Sequence, residues 1–159
     1  MKGNEIVVAS NPRGMFVEGY VDGTPKPGTC MQIKAGVEPV GGRYTYEVYN
    51  KTADGARGQI LVLCADQLQG KTADDAYATG ERCFLYSPVA GEELNCLIGD
   101  AAGTGATSDF AIGDKLMVDD GTGKLVDVGG SEESAPFELL ETITDLAADY
   151  LAHVVYTGY

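Results

Sequence analysis

Residues 113–130 read GDKLMVDDGTGKLVDVGG and contain Gly121-Thr122-Gly123-Lys124, the ending of a phosphate-binding loop. Such a loop cradles phosphates with backbone N–H groups and a lysine, and its Ser/Thr hydroxyl holds magnesium. It needs Gly, four residues, then Gly-Lys-Ser/Thr. Here Val118 stands where the first Gly is required, and Leu125 follows the lysine. Nothing helical follows either. The stretch reads instead as two short strands, DKLMVD and KLVDV, around a tight turn. Asp-Gly and the second Gly supply the positive φ that such a hairpin requires.

Other side chains with chemical potential are isolated. His153 is the sole histidine and sits among apolar residues in LAHVVYTGY. With no second His, a zinc site of histidines is excluded. Cys30, Cys64, Cys83 and Cys96 form no Cys-x-x-Cys pair, and each lies in or beside an apolar run. They read as buried thiols acting as small hydrophobes. The carboxylate pairs Asp74–Asp75, Asp119–Asp120 and Glu132–Glu133 are adjacent in sequence. Adjacent residues on a strand face opposite ways, whereas acid–base work needs carboxyls in one cleft. DDGTGKLVD lacks the acidic ladder and closing Glu of an EF-hand loop. GDAAGTGATS has Gly-x-Gly without the rest of the dinucleotide fingerprint. No Gly-x-Ser-x-Gly elbow occurs. No catalytic, cofactor-binding or metal-ligating residue is therefore assigned, and the chain reads as a non-enzyme without a cofactor.

The elements around these residues are short. In 159 residues there are 22 Gly, scattered without a Gly-X-Y period. Runs of strand length recur: EIVVA, MFVEGYV, TCMQIK, RYTYEVYN, QILVLCA, RCFLYS, ELNCLI, DKLMVD, KLVDV and HVVYTGY. Turn formers separate them, among them NPRG, DGTPKPG, ADGARG and SPVAGEE. This spacing predicts an all-β fold, a sandwich or barrel with little helix. Two segments resist. TADDAYATG (72–80) suggests one helical turn. In PFELLETITDLAADYLAHVV, Leu139, Leu140, Ile143, Leu146, Ala147, Tyr150, Leu151 and Val154 recur at helical spacing, behind Ser134 and Pro136 as a start. The strand alternative splits it into FELLETI and AHVVYTGY.

Length suits one domain, 15–159, behind an N-terminal arm at 1–14. The arm's EIVVA run, before a Pro-Arg-Gly break, is suited to adding a strand to another chain's edge. The net charge is -13, and Lys124 is the last basic residue. Nucleic acid, which is bound by clustered Lys and Arg, is not an expected partner. No apolar run reaches membrane-spanning length, so no membrane partner is expected. MKGNEIVVASNPRG has one Lys and a four-residue apolar run, which does not read as a signal peptide, so synthesis in a cytoplasm is expected.

From about Leu68 onward the order of motifs resembles the capsid decoration proteins of tailed bacteriophages, also called head-stabilising or cement proteins. QGKTADDAYATGERCFLYSPVAGEELNCLIGDAA carries Asp-Ala-Tyr-x-x-Gly-Glu, an apolar strand and a Pro-x-x-Gly-Glu turn. FAIGDKLMVDDGTGKLVDV adds Gly-Asp-x-Leu, a Gly-rich turn and Gly-x-Leu-Val; PFELLETI and a β-like end close the series. KPGTCMQI near residue 30 fits an earlier part of the same pattern. The resemblance implies a compact β-rich domain with a mobile N-terminal segment and strands at the C-terminus. It further implies a homotrimer on the outer surface of an expanded phage head, with the major capsid protein as partner and no catalytic residues. Two other classes fit the composition. One is a capsid-attached β-sandwich that binds host glycans, open because of nine Tyr and weakened by the lack of Trp. The other is a small hydrolase or nucleotide-binding trimer, against which the missing motifs argue.

Overall fold

The computed structural model describes residues 6–8, 13–50, 59–99, 109–128, 135–146 and 150–158. Ten strands form two closed five-stranded barrels, and no α-helix occurs among the described residues. The first barrel comprises β1 (Met15–Val21), β2 (Cys30–Ile33), β3 (Thr45–Val48), β4 (Leu61–Leu63) and β5 (Arg82–Ser87) in the order β1-β3-β2-β4-β5. The second comprises β6 (Glu92–Ile98), β7 (Lys115–Val118), β8 (Leu125–Asp127), β9 (Phe137–Leu139) and β10 (Tyr150–Tyr156) in the order β10-β6-β8-β7-β9. The all-β expectation holds, and each barrel has one parallel pairing, β1 with β3 and β6 with β8.

Alternation explains the cores. Val21, Met31, Tyr46, Leu61, Leu63, Cys83 and Leu85 fill the first barrel. Of the residues between them, which point outward, those on β2, β4 and β5 that face the second barrel are still buried. Cys30, Val62 and Tyr86 thus join Leu94, Cys96, Ile98, Leu116, Leu125, Phe137 and Val154 in one continuous core. QILVLCA is an unbroken apolar run because β4 is covered on both faces.

The barrels meet where two glycines allow backbones to touch. Gly28 donates to the Leu63 carbonyl (2.8 Å) and accepts from the Leu97 N–H (2.9 Å), linking β4 to β6. Its φ is +88, and a Cβ there would lie 2.5 Å from Leu151 Cδ1. Gly123 accepts from the Cys30 N–H (2.8 Å) with φ +64, and a Cβ there would lie 2.5 Å from the Cys30 carbonyl oxygen. Neither position admits a side chain without movement.

The C-terminal segment settles as strands where it is described. β9 and β10 pair through Leu139 and Val154, and Ile143 pairs with Phe110 by two backbone hydrogen bonds of 2.9 Å. Asp145 has φ 52, which no helix accommodates. The helical spacing in 137–154 is therefore overridden by strand pairing; residues 147–149 lie outside the described part. The helical turn expected in 72–80 is also absent. A hydrogen-bonded turn takes its place, with the Asp75 carboxylate accepting from the Thr72 N–H and hydroxyl, both 2.8 Å. One 3₁₀ turn does occur nearby, at Gln67–Gln69, capped by Asp66.

Of the N-terminal arm, residues 6–8 and 13–14 are described. Ile6–Val8 lies along β6 of its own chain: Val8 N–H donates to Glu93 O (3.1 Å) and Asn95 N–H to Ile6 O (2.7 Å). Ile6 is buried in the shared core. This part of the arm is hydrogen-bonded to its own chain's β6.

Candidate interaction surface

The residues singled out for chemistry do not converge. Asp119 to Lys124 is the expected hairpin turn between β7 and β8, with Val118 opposite Leu125. The Asp119 N–H donates to Lys124 O (2.8 Å), and the Thr122 hydroxyl to the Asp119 carboxylate (2.5 Å). Lys124 faces a cleft of about 330 Å³ between the Thr24–Thr29 and Thr122–Lys124 segments, with Lys26 on the opposite wall. The Thr29 hydroxyl is engaged with Lys26 O (2.7 Å), and the Thr122 hydroxyl with Asp119, so the cleft offers no ready-made ring of donors. His153 Nε2 lies 3.0 Å from Glu93 Oε2, and its backbone N–H donates to Glu141 Oε1 (2.6 Å).

The four cysteines are buried free thiols. Burial pushes the Cys64 and Cys83 thiols up to about 12. A hydrogen bond with Cys30, and then burial, raise Cys96 well above the ordinary value. Thiols in that state are poor nucleophiles. Among the described residues no group of three His, Cys, Asp or Glu is placed to hold a metal ion. Glu132–Glu133 and GDAAGTGATS from position 101 onward lie outside the described residues.

What does converge is apolar surface at one end of the first barrel. At the far mouth, after β1 and β4, Tyr77 plugs the barrel. Its N–H donates to Pro25 O (2.9 Å) and its hydroxyl to Cys64 O (2.8 Å). At the near mouth β1 and β3 begin and β2 and β5 end. Strand alternation carries the inward-facing rows out of the barrel there, as Met15 below Val17, Ile33 after Met31, and Tyr44 before Tyr46. These side chains are 63%, 45% and 44% exposed. The connection between β2 and β3 adds exposed Val37 and Val40 at the same end; Phe16, next to Met15 in the chain, faces the other way and packs on Tyr86 with ring centroids 4.8 Å apart.

Glu92 fixes one side of this mouth. It is 3% exposed and is held by hydrogen-bond donors. Its carboxylate accepts from the Arg13 N–H, the Gly14 N–H (3.1 Å), the Val89 N–H (2.9 Å) and the Tyr86 hydroxyl (2.8 Å). Burial alone would raise its pKa; the Val89, Arg13, Tyr86 and Gly14 donors outweigh that and hold it below the ordinary 4.5. The same carboxylate, after burial itself, pushes Tyr86 up to about 12. The entry to β1 is thereby tied to the β5–β6 turn.

Charge divides the molecule unevenly. Residues 13–87 hold eight Lys or Arg and nine Asp or Glu, net -1; residues 92–159 hold two and fourteen, net -12. The acidity seen in the sequence belongs almost wholly to the stretch from β6 onward. Sequence reasoning missed the mouth, because Met15, Ile33 and Tyr44 come together only on closure of the barrel. No protein-family model and no curated protein matches this chain.

Proposed function

We propose that this chain is a capsid decoration protein that binds the outer surface of an expanded bacteriophage head and stabilises it against the pressure of packaged DNA. The observation that carries the reading is the division of the molecule: one near-neutral barrel ending in exposed apolar side chains, and one barrel of net -12. Such a molecule suits binding by one end to a protein surface while presenting a soluble, DNA-repelling body to solvent. The order of motifs from Leu68 onward supports the same reading. A ligand that binds the intact shell and not the parted one stabilises the intact state by linkage. Three copies joined as a trimer over a local three-fold position would bind with high effective concentration after the first contact. The major capsid protein is the partner, and the virion exterior the place of action.

The test is addition of the purified protein to expanded shells assembled without it. Saturable co-sedimentation and a rise in the temperature at which DNA-filled shells rupture are expected. Absence of binding would refute the proposal.

A further inference from the structure

The trimer rests on that reading; we propose that its copies are joined by exchange of the N-terminal strand. Ile6–Val8 of one copy takes its place on β6 of the next, and the apolar surface around Glu92 closes between them. The acceptor is a defined length of strand edge. On one side β10 pairs with β6 all the way from Glu92 to Ile98. On the other side β8 meets β6 at Ile98, and Gly28 accepts from the Leu97 N–H at 2.9 Å. The arm fills the part before that, with Val7 opposite Leu94 and bonds at Glu93 O (3.1 Å) and the Asn95 N–H (2.7 Å). Ile6 completes the shared core there. Each copy therefore needs an arm on β6, and the arm of any copy fits.

The link decides how far an arm reaches. Val8 is bonded at Glu93 and Arg13 at Glu92, so the two ends joined by residues 9–12 lie beside one turn. The Arg13 guanidinium also bonds the Ala90 carbonyl (3.1 Å) in that turn. Extended, the five steps from Val8 to Arg13 span at most about 17 Å. An arm can serve only a neighbour whose β6 begins within that distance, which sets the β5–β6 turns of the two copies against each other.

Apolar surface is exposed at that place. Val89, 38% exposed, lies in the turn and donates its N–H to the Glu92 carboxylate (2.9 Å). Phe16, 55% exposed, packs on Tyr86, whose hydroxyl bonds the same carboxylate (2.8 Å). Val8, 38% exposed, stands at the end of the paired arm. The strand pairing is the same within a chain and between chains, so it does not choose between them. Burial of these side chains against a neighbour does, in favour of exchange. A closed ring of three, each copy giving its arm to the next, fills every β6 edge.

The experiment uses the full chain carrying Val7→Cys and Leu94→Cys, which face each other as a non-hydrogen-bonded pair, the closer of the two kinds. Folding is checked by thermal melts in reductant. The pair is then oxidised with a dissolved disulfide and the chains are separated under denaturing, non-reducing conditions. Covalent trimers are expected; bonds confined to single chains would overturn the inference. A second variant, Phe16→Lys with Val89→Lys, leaves the pairing untouched and is followed by light scattering, with Ile112→Lys as the control. At least a tenfold rise in the concentration at which the trimer half-dissociates is expected, with the control unchanged. A wild type that is monomeric, or a double variant that dissociates as wild type does, would also overturn it. Co-sedimentation with undecorated shells is read separately. Arm-linked trimers that bind no shell would remove decoration and keep the exchange; shell binding by chains linked only within themselves would remove the exchange and keep decoration.

Discussion

Glu92 offers the sharpest test of how the mouth is built. Replacing it with Gln keeps size and removes the charge. With the new NH₂ at the Oε2 position, the Val89 N–H loses its acceptor; with the amide reversed, the Arg13 N–H loses its acceptor, while the Gly14 N–H keeps the Tyr86 hydroxyl (2.8 Å). The Tyr86 hydroxyl can rotate and accept in either case. A stranded buried N–H costs about 1–3 kcal/mol, and the bonds that remain are weaker once neutral. Glu92→Gln is therefore expected to cost about 2–4 kcal/mol, against a total stability of about 5–15 kcal/mol. Urea unfolding at pH 7 measures it. The pH dependence carries a sign. Because the folded pKa lies below the ordinary 4.5, the carboxylate's contribution is fully present above that value and is lost as pH falls through the folded pKa. Wild type and Glu92→Gln should differ most at pH 7 and draw together as pH falls below the ordinary 4.5 and through the folded pKa. A difference under about 0.5 kcal/mol at pH 7, or one that does not narrow in acid, would refute the carboxylate's role.

Gly123→Ala meets both a left-handed φ and the Cys30 carbonyl at 2.5 Å, so a loss of about 3 kcal/mol or more is expected. Gly121→Ala, with φ +90 and open space around it, should cost only about 1–2 kcal/mol; equal losses in urea unfolding would mean that the inter-barrel contact is not tight. Thiol titration with an aromatic disulfide reagent should find four reactive groups in denaturant and almost none in the native protein, and a fast native thiol would contradict the burial of all four. Removing residues 1–8 deletes buried Ile6 and two backbone bonds to β6, with an expected loss of about 2–4 kcal/mol; an unchanged melting curve would show that the segment is a free arm.

The strands were legible because alternation and turn residues agree along most of the chain. The hairpin at Asp120–Gly123 was legible for the same reason. Residues 137–154 were ambiguous for a physical reason. Leu139 to Ile143 and Tyr150 to Val154 are steps of four, and four is both about one helical turn and two full strand alternations. The choice was made by partners distant in sequence, Phe110 for Ile143 and β6 for β10. The role of Glu92 was hidden likewise, since Arg13 and Gly14 reach it from nearly eighty residues away. The mouth was not legible at all. Its residues come from three segments, and only barrel closure tells a side chain that faces inward from one that has run past the end.

The joint between the barrels bears directly on function. β2, β4 and β5 bury one face in the first barrel and the other against the second. Separating the barrels would expose Cys30, Val62 and Tyr86 together with Leu94 and Cys96, all 0% exposed. At roughly 1.5–3 kcal/mol for each large apolar side chain, separation costs as much as unfolding. Gly28 and Gly123 then fix orientation as well as distance, since backbone bonds at 2.8–2.9 Å tolerate little rotation. The two halves therefore move as one body. The acidic second barrel is thereby held in a set direction from the mouth of the first.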